Sequence, residues 1–455
     1  MSKYQKVTIN SPNLSWVIVN SFFVDYTPAT ISLEYGDIIV LVDKWEKRGR
    51  SWISFIYRGE SSIYFEKIGN FYYVNKQKCG IDLIDNIDQK NIDDQLIYIS
   101  QKTSFSQKNI NFVNELAPFL QIFQSHIAIN KETQYISQFH NLEFLDLCGS
   151  HITNQGVKNL QQLENIRGIN FEETTISNNV LQYLSSFKKL QFLNLQNTAI
   201  NDEGIGKIDN ELQCINVRST NIGDKAIAKI VNFKYLNMFK LQKCPISNKS
   251  LEYLAQCKNL RALALGWISL SNTNILAYLH TISMLQFTRM ELLADDFHWV
   301  GNLPNLKSLY FWKILLEKDS LNCLKNCQKI EKLFLRWVNI EGIPFNQLGK
   351  LKQLQTISFR GTNIIDKNLY YLLPLENLTK LDLTNTQVTD LGIKILINLP
   401  KLDCLFLWKT KITNSAVITL SNFHQLKVLD ISQTLITKKA VQQLKNNLPN
   451  CLIYY

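Results

Sequence analysis

The sequence has few of the residues that interrupt a chain. Only 9 of its 455 residues are proline and 17 are glycine, which excludes a collagen-like or linker-rich protein. No apolar run approaches the roughly 20 residues of a membrane-spanning helix. The apolar stretch near the N-terminus is interrupted at Asn20 and Ser21, and no small-residue cleavage site follows it. We therefore expect a cytoplasmic protein.

Cysteine is also scarce. The nine cysteines, an odd number, are scattered singly apart from Cys323 and Cys327, so neither a disulfide framework nor a paired zinc motif is present. Cys323 and Cys327 lie four residues apart on a predicted helix with no second pair of ligands. We expect buried thiols there rather than a metal site.

Sequence patterns of enzymes are missing as well. The chain has no G-x-S-x-G, phosphate-binding loop, H-E-x-x-H or dinucleotide fingerprint. His140 and His424 stand in the same local context, Phe-His-Asn-Leu and Phe-His-Gln-Leu, which indicates a structural role. We expect a protein without catalytic residues, cofactor or metal.

Positive charge is confined to one part of the chain. Residues 1–140 carry 14 basic and 14 acidic residues, so the net charge of +11 comes from 35 basic and 24 acidic residues in 141–455. A basic surface is compatible with nucleic-acid binding. Since no block of five Lys or Arg occurs, an ordinary charged surface is favoured.

A repeat of about 24 residues organises the chain from residue 141 onward. The pattern L-x-x-L-x-L predicts a short strand whose apolar residues face a core. It begins, in repeats 1 to 13, at Leu142, Ile166, Leu190, Leu212, Leu236, Leu260, Leu285, Leu306, Ile330, Leu354, Leu378, Leu402 and Leu426. Because one unit cannot bury its apolar face alone, the units must stack.

A short helix is predicted in the second half of each repeat. Asn and Asp are favoured helix N-caps, and one of them stands twelve residues after most starts. They are Asn154, Asn178, Asp202, Asp224, Asn248, Asn272, Asp366, Asp390 and Asn414. An apolar residue six positions further on, such as Leu396, is expected to fasten the helix to the strand layer.

These features resemble the leucine-rich repeat superfamily. Residues 378–393, Leu-Thr-Lys-Leu-Asp-Leu-Thr-Asn-Thr-Gln-Val-Thr-Asp-Leu-Gly-Ile, resemble its short bacterial-type or Cys-containing class, and the resemblance covers about 315 residues. It implies an α/β solenoid of about 13 repeats, with a parallel concave sheet and short convex helices. The C-terminal residues Leu448–Tyr455 fit a truncated terminal strand.

Eight residues after the start, where many such families have Asn, this chain usually has Thr. The positions are Thr174, Thr198, Thr220, Thr362, Thr386, Thr410 and Thr434, with Cys244 as a variant. We expect the hydroxyls to form a ladder with the backbone of the neighbouring coil. The ladder is interrupted at Ile268, Leu293, Ile314 and Val338, and the expected cap is missing at Phe297, Lys318 and Gly342. Drift in a tolerant solenoid and a surface altered for a partner both explain this irregular middle.

The N-terminal region does not repeat. Strand-like runs in residues 1–75 resemble a small β-barrel of the Src-homology-3 type, which implies a peptide-binding domain. Ser51 takes the place of its characteristic Trp and Tyr72 that of its Pro, so the fold could be kept while the peptide-binding site is lost. Residues 76–108 form a polar, acidic connector, and the apolar spacing in 109–140 predicts a helical cap on the first repeat.

Aromatic and basic residues stand at outward strand positions, two, four and six residues after the starts, and just beyond. Aromatic and Arg residues are typical anchors of protein interfaces. The predicted partner-binding residues are Arg218, Lys240, Trp267, Arg289, Tyr310, Trp312, Lys332, Phe334, Arg336, Trp337, Arg360, Phe406 and Trp408.

The sequence thus favours a non-enzymatic recognition or adaptor protein that binds a protein partner on the concave face. A second protein contact at the N-terminal β-domain is possible. Two alternatives stay open: a nucleic-acid-binding solenoid with an aromatic-basic groove, and a substrate-recognition subunit of a ubiquitin ligase or a bacterial effector.

Overall fold

The computed structural model describes residues 125–455, except 209–210, 272, 293, 317–319, 341–344 and the side chains of 291–296. Earlier in the chain it describes Phe105, Asn114, Ala117, Leu120 and Phe123. The predicted barrel of residues 1–75 and nearly all of the acidic connector lie outside the described residues. The domain boundaries at 75, 108 and 140 therefore stay predictions. Within residues 1–101 the backbone forms strands at Gln5–Val7, Ile9–Asn10, Trp16–Val19, Ile31–Ser32, Ile38–Lys44, Ser51–Arg58, Ile63–Ile68, Phe71–Val74, Gln77–Leu83 and Tyr98–Gln101.

The chain forms two compact units, residues 1–221 and 222–455. In the first unit, successive repeats contribute parallel strands, with Leu145 beside Ile169 and Ile169 beside Leu193. The strands are Ile122–Ser125, Phe144–Asp146, Gly168–Asn170, Phe192–Asn194 and Cys214–Asn216. The helices are Thr133–Ile136, Asn154–Asn159, Leu181–Leu184 and Asp202–Ile205, with single 3-10 turns at Leu160–Gln162 and Asn178–Val180.

The second unit repeats the same arrangement. Its main parallel strands are Met238–Lys240, Ala262–Gly266, Met284–Thr288, Ser308–Trp312, Lys332–Arg336, Thr356–Ser358, Lys380–Asp382, Cys404–Phe406, Val428–Asp430 and Leu452–Tyr454, and Glu291–Leu292 pairs with Leu315–Leu316. The α-helices are Asp224–Ile230, Asn248–Leu254, Phe345–Leu348, Asp366–Leu369, Asp390–Leu396, Ala416–Leu420 and Lys438–Asn447. The 3-10 helices are Thr273–Tyr278, Ala294–Asn302, Asn322–Asn326 and Tyr370–Leu372.

The buried positions follow the predicted pattern. Leu378, Leu381 and Leu383 of repeat 11 are fully buried, and so is Leu396 on the following helix. Strand Leu452–Tyr454 pairs with Val428–Asp430, as expected for a terminal strand. The fold class, a leucine-rich-repeat solenoid with a parallel sheet and short helices, is confirmed.

Repeat 7 begins at a different residue from the predicted Leu285. Leu285 pairs with Leu263, the residue three positions after the start of repeat 6. The repeat therefore begins at Ile282, which is fully buried, and its eighth residue after the start is Met290 rather than Leu293. The apolar spacing permitted both registers, and strand pairing decides between them.

Seven of the nine Asn and Asp residues predicted as N-caps are the first residues of their helices or 3-10 turns. Asn414 precedes helix Ala416–Leu420 by two residues, and Asn272 lies outside the described residues. The cap is the preceding residue: the Thr389 hydroxyl accepts the backbone N–H of Leu391. Asp366 of repeat 10 in turn accepts the N–H of Thr389 at 2.9 Å and its hydroxyl at 2.6 Å. Asp390 binds Thr413 in the same way. These side chains therefore join each coil to the cap of the next one.

The Thr ladder predicted between coils lies within each coil instead. The Thr386 hydroxyl donates to the carbonyl of Leu383, three residues earlier, at 2.6 Å. Thr362 and Thr410 make the same bond within their own repeats. The eighth residue follows a sharp bend, so the carbonyl of its own strand end is the nearest acceptor.

The segment predicted as a helical cap contains a strand. Ile122–Ser125 pairs in parallel with Phe144–Asp146, and Thr133–Ile136 is the only helical turn among the described residues between 120 and 140. Leu120, Phe123 and Ser125 are fully buried and occupy the strand pattern of a repeat. At Ile122–Ser125 a strand therefore stands where a helix was predicted, because the apolar residues between 112 and 123 satisfy both periods. The helical cap over the rest of residues 109–140 stays a prediction.

Candidate functional site

The predicted aromatic residues of repeats 8 and 9 stand on the face of the sheet that carries the second, fourth and sixth residues after each start, here called the open face. Tyr310 lies beside Phe334 in adjacent strands. Their rings stack with centroids 4.4 Å apart and planes 9° from parallel. Contrary to expectation, both are buried, at 8% and 4% exposure. Side chains on strands about 4.8 Å apart cover one another when both are large.

Arg336 completes this stack from the sixth position. Its guanidinium carbon lies 4.9 Å from the centre of the Phe334 ring, and its Nε donates to the Ser358 hydroxyl at 3.1 Å. Ser358 in turn donates to Asp382 at 2.8 Å, and Arg336 pairs with the same carboxylate at 3.9 Å. Arg336 is therefore a buried, charge-balanced residue that orders three successive strands.

The seventh residue after each start has a left-handed backbone in all 13 repeats. In repeats 5 to 9 these residues are Lys243, Trp267, Arg289, Lys313 and Trp337, with φ between 47° and 56°. We call these five residues the ridge. Arg289 was predicted at an outward strand position, but it lies in the turn that follows strand Met284–Thr288.

Hydrogen bonds of the ridge explain its backbone conformation. The N–H of Trp267 donates to the carbonyl of Thr288 at 2.9 Å, and that of Arg289 donates to Trp312 at 2.9 Å. Each seventh residue thus adds a bond to the strand of the next repeat while the chain turns away. A left-handed conformation costs roughly 1–2 kcal/mol for a residue with a Cβ atom, which is why Gly and Asn are favoured. The ridge has neither.

A cation in the middle of the ridge lies close to two indole rings. The Arg289 guanidinium carbon is 5.4 Å from the Trp267 ring centre and 5.8 Å from that of Trp312. The two indoles meet edge to face at 5.8 Å and 73°. The Lys313 amine lies 5.5 Å from the Trp312 ring centre on the same surface. Four side chains from three repeats thus form one cation–aromatic cluster.

Trp337 ends the ridge and is 43% exposed. Its indole lies against Gly361, the seventh residue of repeat 10, whose φ is +68°. A Cβ atom at Gly361 would lie 2.5 Å from the indole. The glycine therefore provides the flat surface on which Trp337 rests.

The other predicted residues are not part of this cluster. Lys240, on the strand of repeat 5, is buried, and Lys332 is half-buried with its pKa lowered by burial. Arg360 is half-buried in repeat 10. Arg218 belongs to the first unit and is half-buried there.

Phe406 and Trp408 of repeat 12 have different surroundings. Phe406 is buried with Cys404 and Val428, and Tyr454 packs against them. Trp408 is half-buried, and the Lys409 amine lies 5.7 Å from its ring centre. Phe406 is therefore part of the packing near the terminal strand, whereas Trp408 repeats the ridge pattern of ring and cation.

The cations Lys243 and Lys313 are functional candidates that the sequence analysis missed. They share the seventh position with Trp267 and Trp337, which were chosen only because they are aromatic. Comparison of that one position across all repeats would have found them.

A buried carboxyl group marks the open face of the first unit. Glu172 accepts the Gln196 amide at 2.6 Å and the Asn194 amide at 3.1 Å. Burial raises the pKa of Glu172 to about 7, although the hydrogen bond from Asn194 opposes this. Glu172 is the sixth residue after the start of repeat 2, and nothing in the sequence pattern predicts that it titrates near neutral pH.

Cys323 and Cys327 are buried, as predicted, and burial raises the pKa of each thiol to about 12. No group of three or more His, Cys, Asp or Glu in the described part of the chain could hold a metal ion. Nor does any helix there combine the length and apolar character needed to cross a membrane.

Comparisons with known proteins agree with the repeat pattern. The Leucine Rich repeat family model matches residues 188–208 and 375–396. Comparison with curated proteins gives no significant match. The structure of an internalin from Listeria monocytogenes is 20% identical with a TM-score of 0.41, and the match covers 70% of this chain and 82% of that one. A leucine-rich-repeat protein from Leptospira interrogans is 16% identical with a TM-score of 0.45, covering 80% of this chain and 90% of the other. Mouse RP105, solved in complex with MD-1, is 15% identical with a TM-score of 0.43, covering 79% of each chain. The parallel pairing of its strands and the two matched repeats show that the chain is a leucine-rich-repeat solenoid.

Proposed function

We propose that the chain is a non-enzymatic recognition protein that binds a protein partner through the ridge and the adjoining open face of repeats 5 to 9. The observation that carries this proposal is the cluster of Trp267, Arg289 and Trp312, whose rings and guanidinium are held in place by one another. Trp and Arg are the residues most enriched at the energetic centres of protein interfaces. A cluster ordered before binding also loses little side-chain entropy on association.

The ring contacts favour a protein over a nucleic acid. Base stacking requires a free aromatic face. Here a cation already lies near the rings of Trp267, Trp312 and Trp408, while Phe334 stacks on Tyr310 and has Arg336 beside it. A partner therefore meets rings that already carry a neighbouring cation, together with the exposed indole of Trp337, which suits polar and apolar protein side chains.

Affinity capture with the full chain tests the proposal. Nuclease-treated lysate is passed over the wild-type protein, the double variant Trp312→Ala/Trp337→Ala, and Tyr370→Ala. Tyr370 is a matched control, because it is 60% exposed and lies on a helix away from the open face. Truncation of a central anchor typically costs about 2 kcal/mol or more, roughly a 30-fold loss of affinity.

We expect specific partners, measured by quantitative mass spectrometry, to be lost from the double Trp variant and kept by Tyr370→Ala. Thermal unfolding of each variant checks that the fold is intact. Partners that remain on the double variant, or that disappear only with Tyr370→Ala, would show that the binding surface is elsewhere.

The proposal extends to an adaptor role in the cytoplasm, with residues 1–75 as a separate Src-homology-3-like domain that makes a second contact. The support is the non-repeating, strand-like sequence of that region. A shortened chain of residues 109–455 should then unfold cooperatively on its own. Loss of the cooperative transition on deletion would show that the N-terminal region is an integral part of the solenoid.

A further inference from the structure

Three residues of the ridge carry a positive charge. Lys243, Arg289 and Lys313 are exposed, and among the described residues no carboxylate forms an ion pair with any of them. Ion pairs do occur elsewhere on the surface: Lys307 pairs with Glu331 at 2.8 Å and Lys427 pairs with Asp403 at 2.8 Å.

The neighbouring open face is also free of acidic residues. The second, fourth and sixth residues of repeats 5 to 9 include Lys240, Lys332 and Arg336 but no Asp or Glu. Because Lys240 and Arg336 are buried, the exposed positive charge comes from the ridge itself, which also carries the exposed indole of Trp337. A partner of complementary charge must supply carboxylates.

The backbone determines where the side chains of the ridge stand. Five consecutive repeats keep large side chains at a left-handed position, where Gly149, Gly361 and Asn385 show that Gly and Asn also serve. Since the conformation occurs in all 13 repeats, it belongs to the repeat and does not by itself indicate a ligand. The strain positions Lys, Trp, Arg, Lys and Trp in line along the carboxyl ends of adjacent strands.

We propose that the ridge binds an extended acidic segment of a protein partner, one with at least two carboxylates and an apolar residue. This inference rests on the proposed function and names the chemistry of its partner. Adjacent strands are about 4.8 Å apart, so Lys243 and Lys313, three repeats apart, are separated by roughly 14 Å along the ridge. An extended chain covers that distance in about four residues, and its residues i, i+2 and i+4 face the same side.

Carboxylates at i and i+4 of such a segment therefore reach Lys243 and Lys313, with Arg289 between them. An apolar side chain of the segment covers the exposed indole of Trp337. The described acidic residue Glu331 is already paired with Lys307, so it does not compete for these cations.

Selection from a display library of random 12-residue peptides on the full-length chain tests the proposal. Selected peptides should contain more Asp and Glu than the unselected library. A fluorescein-labelled selected peptide, followed by anisotropy, should bind Arg289→Gln/Lys313→Gln about tenfold more weakly, since two exposed ion pairs are lost. Lys394→Gln, an exposed lysine on helix Asp390–Leu396, is the matched control and should change the affinity less than twofold.

Affinity for the acidic peptide should also fall as salt concentration rises, because exposed charges are screened. A 12-residue oligo-uridine is measured beside it. Selection of no peptide, selection without an acidic excess, or tighter Arg289-dependent binding of the oligonucleotide would each overturn the proposal.

The experiment separates this inference from the proposed function. If captured partners depend on Trp312 and Trp337 but not on Arg289 and Lys313, the recognition surface stands and its acidic specificity is wrong. If captured partners are indifferent to the Trp residues as well, the proposed function itself fails.

Discussion

Asp224 provides the sharpest test of how one coil is attached to the next. It is the first residue of helix Asp224–Ile230 and accepts the backbone N–H of Ser247 at 2.9 Å and the Ser247 hydroxyl at 2.6 Å. The Ser250 hydroxyl donates to the same carboxylate at 2.5 Å. Asp224→Ala removes all three bonds without disturbing the apolar core.

The expected cost is about 2 kcal/mol. A hydrogen bond to a charged group contributes about 1.5–3 kcal/mol, but these bonds are partly exposed and water replaces some of their energy. Asp224→Asn is the matched control, because Asn248 makes the equivalent contacts to Ser271 with its carbonyl and amide at 2.9 and 2.7 Å. We expect the Asn variant to lose less than about 1 kcal/mol.

Urea unfolding at pH 7 measures both free energies of unfolding. A second series of urea unfolding measurements below pH 4 tests how much the ionised form of the Asp224 carboxyl contributes to stability. Burial alone would raise the pKa of Asp224, but the hydrogen bonds from Ser247 and Ser250 outweigh it and hold the pKa below its ordinary value of 3.8. The ionised form therefore adds stability above the ordinary pKa, and that stability is lost as pH falls through the folded pKa. The advantage of Asp over Asn should shrink accordingly. An Ala variant as stable as wild type, or an Asn variant as damaged as Ala, would refute the coil-joining role.

Two further variants test other parts of the fold. The pKa of Glu172, raised to about 7, makes the folded state hold a proton that the unfolded state releases, so the stability of the wild type should fall between about pH 4.5 and 7. Glu172→Gln should remove this fall. Urea unfolding across the range should show the variant gaining roughly 3 kcal/mol relative to wild type by pH 8. Gly361→Ala should lower the free energy of unfolding by about 1 kcal/mol or more, because the residue has a φ of +68° and a Cβ atom would meet the Trp337 indole. The loss should be smaller in a Trp337→Ala background, where the indole is absent. Equal losses in both backgrounds would show that the two residues are not in contact.

The stacking of the repeats was predictable because burial follows sequence period directly. Leu381 and Leu383 alternate with polar residues, and only one face of such a strand can enter a core. The start of repeat 7 was not predictable, because Ile282, Leu285 and Phe287 fit the pattern in two registers. The neighbouring strand selects one of them by pairing Leu263 with Leu285.

The roles of the polar positions required the adjacent coil. Thr389 and Asp390 are both good capping residues, so sequence alone did not distinguish the cap from the first residue of the helix. In the structure Thr389 caps its own helix, while Asp390 reaches Thr413 of the next repeat. A contact between repeats is invisible to any rule that considers one repeat at a time.

The candidate site was predictable in its location but not in its exposure. Outward strand positions did predict the face that carries Tyr310 and Phe334. Their burial arises because two large rings in adjacent strands cover each other, which depends on pairing and side-chain orientation. The ridge was hidden for a different reason, since Lys and Arg give no sign in a sequence that their backbone is left-handed.

Lys313 shows how that conformation links stability to binding. Its φ of 53° favours Asn, a common left-handed residue, so Lys313→Asn should regain part of a strain of roughly 1–2 kcal/mol. The substitution also removes the contact with the Trp312 ring, worth about 0.5–1 kcal/mol at an exposed site. Because the two effects oppose each other, urea unfolding should place the variant within about 1 kcal/mol of wild type, while its affinity for an acidic peptide falls. A variant that loses more stability than this and binds the peptide normally would mean that Lys313 serves the fold rather than a partner.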